Sequence, residues 1–197
     1  SYAHAEGRET IVSGDYSHAE GYQTTASGDY SHAEGSGTNA SGNYSHAEGT
    51  TNVASGNSSH AEGEGTTASG VGAHAEGQDT LAAGANAHAE GEGTHAEGAY
   101  AHSQGYFTTA SGQHSLSSGF RTTAHQNYQA VFGKYNKQVD SHHAFIIGNG
   151  TNTGALAKNL AVFATSSIIF DTGSIPTSSV GASVGQLYRT GSNFDEI

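Results

Sequence analysis

Ser17-His18-Ala19-Glu20-Gly21 returns almost unchanged along the first two thirds of this 197-residue chain, and its spacing decides the fold. Histidine falls at His4, His18, His32, His46, His60, His74 and His88, fourteen residues apart each time. A glutamate follows each two places later, at Glu6, Glu20, Glu34, Glu48, Glu62, Glu76 and Glu90. Glycine keeps a finer beat, occupying every seventh position from Gly7 to Gly119 without exception. A register this strict implies stacked, nearly identical units.

Two places before each of these glycines sits Ala or Ser, with Val12 the sole departure, and four places before sits Ser, Thr, Ala or Asn. Positions two apart share one face of an extended strand, so that face must be narrow. The opposite face carries His and Glu in one half-repeat and pairs such as Thr25/Ser27, Asn39/Ser41, Val53/Ser55, Thr67/Ser69 and Leu81/Ala83 in the other. Two short strands and two glycine corners per fourteen residues describe one turn of a flattened coil, filled with small side chains. The glycines read as corners whose φ only glycine adopts cheaply. Residues 1–126 give nine such turns, a stack about 43 Å long at ~4.8 Å per strand. Each turn buries little apolar surface, and at ~25 cal/mol/Å² a lone coil is marginal against its ordering entropy. The coil is therefore expected to need partners along its whole length.

Composition narrows the function. With 29 Gly and 34% hydrophobic residues the chain cannot build an ordinary globular core, and the absence of Cys excludes disulfides and thiolate metal sites. The net charge of −12 is concentrated in residues 1–126, which hold 14 acids against Arg8 and Arg121. Eleven histidines in the same region make its charge, and any assembly built on it, sensitive to pH. So acidic a surface predicts no nucleic-acid partner, and no apolar run approaches the ~20 residues of a membrane span, which predicts no membrane insertion. The chain opens at Ser1 rather than Met, which suggests a fragment.

Ser-His-Ala-Glu-Gly alternating with Thr-Ala-Ser-Gly resembles the head repeats of trimeric autotransporter adhesins (YadA-like heads), which also occur in bacteriophage tail-fibre proteins. The resemblance covers residues 1–126 and implies an all-β fold: a left-handed parallel β-roll, assembled as a homotrimer about a threefold axis. In that family the equivalent half-repeat faces the axis with two aliphatic residues, where this chain has His and Glu, as at His32 and Glu34. The implied function is a structural and adhesive fibre segment of a phage tail fibre or virion appendage, used in host attachment. Its implied partners are two further copies of the chain, other virion proteins and a host receptor or glycan, and its implied location is the virion or the extracellular space. The alternative is the head of a bacterial surface adhesin, located on the cell surface.

The alternation breaks once. His95 follows His88 by only seven residues, so His95 and Glu97 fall where Thr-Ala-Ser-Gly is expected and should lie on the other, outer sheet. Ala101-His102-Ser103-Gln104-Gly105 then replaces Glu by Gln, and the repeat degenerates through Leu116-Ser117-Ser118-Gly119. Residues 127–170 keep the strand-then-glycine logic with larger apolar residues, Val131, Phe132, Phe145, Ile146, Ile147, Val162 and Phe163 among them, and read as a hydrophobic neck or foot. Residues 171–197 read as an extended Gly/Ser-rich segment, of which Gly185-Gln186-Leu187-Tyr188-Arg189-Thr190-Gly191 resembles the ends of phage fibres.

The seven His/Glu pairs from His4/Glu6 to His88/Glu90 are the candidate site, read as trimer-axis pairs hydrogen-bonded between subunits, because buried charge must be paired. A metal or anion held by three equivalent axial histidines is the second reading; otherwise no cofactor is expected. Tyr2, Tyr16, Tyr30 and Tyr44 recur at fourteen and predict an aromatic ladder at one corner, sufficient in itself, with a sugar-binding surface as its functional alternative. Asp15, Asp29, Asn43 and Asn57 follow a glycine and read as turn residues. Thr-Ala-Ser ladders raise an ice-binding reading, broken by Val53, Leu81 and Ala83. Catalysis is not expected: His-x-Glu lacks the His-Glu-x-x-His spacing of a zinc hydrolase, and identical copies in every turn imply a scaffold.

Overall fold

The computed structural model describes residues 2–138, 143–152, 159–164, 168–170, 187–190 and 193–196. Among these the fold is all-β, a solenoid whose turns pair in parallel and in register. The His-Ala-Glu-Gly half-repeats form five-residue strands, from His4–Arg8 and His18–Tyr22 upward, in one sheet of 13 strands. The alternate half-repeats form two-residue strands, from Ile11–Val12 and Thr25–Ala26 to Thr123–Ala124, in a second sheet of 9 strands. Residue pairs fourteen apart face each other: His4 aligns with His18, Ala5 with Ala19, Glu6 with Glu20 and Gly7 with Gly21.

The inner face is as narrow as the sequence demands. Ala19, Ala26, Ala33 and Ala40 are fully buried, as are their counterparts through Ala110, and Ser17, Thr24, Ser31 and Thr38 fill the remaining inner positions. Each inner serine satisfies itself locally. Ser17 Oγ donates to the Gly14 carbonyl at 2.6 Å, and Ser31, Ser45, Ser59 and Ser115 repeat the bond. Where Asn52 takes the inner position, its Nδ2 donates to the carbonyls of Glu48 and Gly63 while its Oδ1 accepts from the Thr66 N–H. A fully buried amide is tolerated because both its ends are paired.

The glycines have two origins, and only one was expected. Gly21 adopts φ +112° at the end of its strand, and its counterparts from Gly7 to Gly133 do the same. Gly28 and the other glycines of the second sheet do not take positive φ; a Cβ at Gly28 would stand 2.0 Å from the Gly42 carbonyl oxygen in the next turn. Close approach between turns, not an unusual dihedral, excludes a side chain there.

The left-handed conformation falls instead on residues that the sequence did not mark. Tyr16, Tyr30 and Tyr44 have φ of 56°, 57° and 59°, and Gln23, Thr51 and Asp79 take the same region at the opposite corner. Such a φ costs an ordinary residue roughly 1–2 kcal/mol. Ladder bonds hold it in place: Tyr30 N–H donates to the Asp15 carbonyl and Tyr44 N–H to the Asp29 carbonyl, each at 2.8 Å. The Asx residues act as turn residues in a further sense, since Asp29 Oδ1 accepts from the Asp15 N–H and Asn43 Oδ1 from the Asp29 N–H.

The coil continues past residue 126, the boundary expected from the repeat. Gln126 stands in a glycine position, yet Gly133 resumes the beat and strand Ala130–Lys134 pairs in parallel with Leu116–Phe120. His143–Asn149 adds one more parallel strand, with Gly133 opposite Gly148. Asn159–Ala164 and Ile168–Phe170 then extend the sheet antiparallel. Val131 and Ile146 are fully buried in this end and replace the Ala/Ser filling by larger side chains. Phe132, Phe145 and Ile147 are half-buried, with the two phenyl rings 5.5 Å apart. Val162 and Phe163 sit in a strand paired with Ile146 and Phe145, and their side chains lie outside the described residues. In the C-terminal segment, Leu187–Thr190 and Asn193–Glu196 pair antiparallel; the rest of 171–197 lies outside the described residues.

Candidate functional site

Strict register converts a repeated residue into a line. His18 to His102 stack ring on ring with centroids 4.8–4.9 Å apart, the spacing of the strands beneath them, and are parallel within 14°. His4 begins the line, tilted by 46° against His18. The glutamates form a second line beside the first. Both lines sit on the outward face of the larger sheet, half-buried, with His60 and Glu62 side chains 35% and 33% exposed.

From His32 to His88 each imidazole of the line lies between two carboxylates of its own chain. His60 Nε2 is 3.8 Å from Glu62 in the same turn and 3.7 Å from Glu48 in the turn before. His32 is 3.9 Å from Glu34, and His46 and His74 are each 4.0 Å from the preceding glutamate. At His88 and His102 the cross-turn contact closes to a hydrogen bond of 3.2 Å, to Glu76 and Glu90. His102 thus joins the ladder although its own turn carries Gln104; its phase of fourteen was the available signal. Nε2 of His18, His32, His46, His60 and His74 is sealed from solvent and has no hydrogen-bond partner within the chain. Within one chain the turn-to-turn register alone brings these imidazoles within 4.0 Å of carboxylates of their own or the preceding turn.

A groove of about 760 Å³ runs beside the ladder from Glu6 to Gly77, walled by glutamates and floored by the glycines that follow them. A shorter one of about 380 Å³ continues it past Glu90, Gln104 and Ser118.

The opposite sheet has no such uniformity. Its outward positions hold Ile11, Thr25, Asn39, Val53, Thr67, Leu81 and His95 in successive turns. His95 and Glu97 fall here, as the phase required, and face solvent with Nδ1 3.9 Å from the carboxylate and side chains 46% exposed. The same variability interrupts a threonine ladder.

Tyr16, Tyr30 and Tyr44 stack at one corner with centroids 5.0–5.1 Å apart, and Tyr2 leans on Tyr16 at 5.6 Å. The ladder stops at Ser58 and resumes as Tyr100, His114 and Tyr128, spaced 4.8 and 5.2 Å. That second run has the same phase as the first. Because each ring face is covered by the next ring, the stack offers edges to solvent, which is a poor platform for laying a sugar on an aromatic face.

No family model matches the chain, and no curated protein matches it either.

Proposed function

We propose that the chain is a structural and adhesive segment of a homotrimeric fibre, part of a phage tail fibre or related virion appendage used in host attachment, with a left-handed coil. One observation carries the reading: the outward face of the larger sheet is chemically uniform where folding does not need it to be. Both sheets share the same Ala, Ser and Thr filling, and the second sheet tolerates six residue types at one outward position. A His/Glu stripe repeated through seven turns therefore has a use outside the coil, and a long, straight, half-buried stripe is suited to packing against a copy of itself. Three stripes about one axis would cover the groove and add buried surface to a coil whose own core is thin. Trimerisation is the assembly that the repeat's resemblance to adhesin heads implies.

Sedimentation equilibrium tests the assembly. A trimer of the 20.0 kDa chain weighs 3 × 20.0 = 60.0 kDa, and a stable 20.0 kDa monomer would overturn it. Adsorption assays test the role: added protein should block attachment of the parent virions to their host, and undiminished adsorption by a trimer would remove the adhesive function.

A further inference from the structure

We propose that the ladder of a single chain binds a row of divalent transition-metal ions, Zn²⁺ or Ni²⁺, each held by one imidazole and two carboxylates from adjacent turns. This goes beyond the fibre reading and does not rest on it, because all three ligands of a site come from one chain.

The central site shows the geometry. Glu48, His60 and Glu62 bring one carboxylate oxygen each and the imidazole nitrogen within 4.8 Å of one another, and four further triads repeat this along the ladder. His60 Nε2 points between the two carboxylates, at 3.7 and 3.8 Å, too far for a hydrogen bond to either. It is enclosed and unpartnered, which a buried ring nitrogen rarely is. Metal bonds of about 2.0–2.2 Å would draw the ligand atoms to roughly 3.4 Å apart, so the nitrogen closes on each carboxylate by a few tenths of an ångström, and the two carboxylate oxygens, within 4.8 Å of one another, close by at most about 1.4 Å through side-chain rotation. The adjoining groove leaves room for water to complete the coordination sphere. One nitrogen and two oxygens suit a borderline cation such as Zn²⁺ or Ni²⁺, whereas Mg²⁺ and Ca²⁺ prefer oxygen alone.

Neighbouring triads share a glutamate, which limits occupancy. Of the five triads, the first, third and fifth, centred on His32, His60 and His88, share no ligand. Each then offers two negative charges to one dication, and the ions are separated by two strand spacings rather than one, which weakens their repulsion. The expected capacity is therefore three ions per chain. At His88 the ion must displace the existing hydrogen bond to Glu76.

Equilibrium dialysis of the full chain against Zn²⁺ or Ni²⁺ in excess Mg²⁺, followed by elemental analysis, measures this capacity. Three ions per chain are expected in the unaltered protein. The double variant Glu48→Gln with Glu62→Gln should lose one of the three, and Glu97→Gln on the second sheet should lose none. Uptake below one ion per chain, or equal uptake by the unaltered protein and the double variant, overturns the proposal. A second measurement does not depend on any variant folding: electron paramagnetic resonance of Cu²⁺ bound to the unaltered chain. One coupled nitrogen per ion is expected, and three would overturn it in favour of a ring of histidines from three chains. Ions are counted per chain and mass per assembly, so failure here is separable from failure of the trimer.

Discussion

The two sheets of the coil are built on one core and present opposite kinds of surface. On the larger sheet His and Glu recur through seven turns, whereas on the smaller one the corresponding positions run from Ile11 and Thr25 to Asn39, Val53 and Leu81. Inside, the two half-repeats are interchangeable: Ala61 and Ala68 are both fully buried. The difference teaches that this fold is specified by its inner residues and glycines alone. Outward residues are free to vary, so the stripe that does not vary is the one with work to do.

If the glycines and not the stripe make the coil, replacing one of them, as in Gly56→Ala, should be far more damaging than any change on the outward faces. Its Cβ would meet the Gly70 carbonyl oxygen at 2.0 Å, and because a backbone atom cannot step aside the expected loss exceeds about 4 kcal/mol. Circular dichroism melting would show it as loss of the cooperative transition; a melt close to that of the unaltered chain would remove the close-approach argument. Next in size is Asn52→Leu, which strands the Thr66 N–H and the Glu48 and Gly63 carbonyls and should cost roughly 2–3 kcal/mol. Denaturant unfolding measures it, and a neutral result would mean that these bonds carry no net stability.

Ser58→Gly should act in the other direction. Ser58 is exposed, has φ 57° and sits in the gap of the tyrosine ladder, so relieving its dihedral should stabilise the coil by about 1 kcal/mol. A lowered midpoint would show that the left-handed corner is not strained. Smallest of all should be Val53→Thr on the variable sheet, within about 0.5 kcal/mol in the same assay.

Much of this was legible in the sequence because glycine at every seventh place fixes the phase. It put Ser17 and Ala19 inside, His18 and Glu20 outside, and moved His95 to the second sheet on a single skipped interval. Other features depend on what the neighbouring turn does. Tyrosine has no preference for positive φ, so nothing in the string marks Tyr30 as left-handed; the Asp15 carbonyl one turn earlier holds it there. The contact of His60 with Glu48, twelve residues away, follows from side-chain rotamers and could not be read from a spacing of two. The end of the repeat at residue 126 looked like the end of the coil because Gln126 breaks the glycine beat, but half a turn later Gly133 restores it.

The central claim is that the uniform face is the face of assembly. It is tested most directly by placing a lysine on each sheet of the same turn, Glu62→Lys on the stripe and Ser69→Lys on the exposed position of the second sheet, and measuring mass by sedimentation equilibrium. The account predicts that Glu62→Lys shifts the protein from 60.0 to 20.0 kDa while Ser69→Lys stays at 60.0 kDa, three chains of 20.0 kDa each. Dissociation by Ser69→Lys, with Glu62→Lys still assembled, would contradict it.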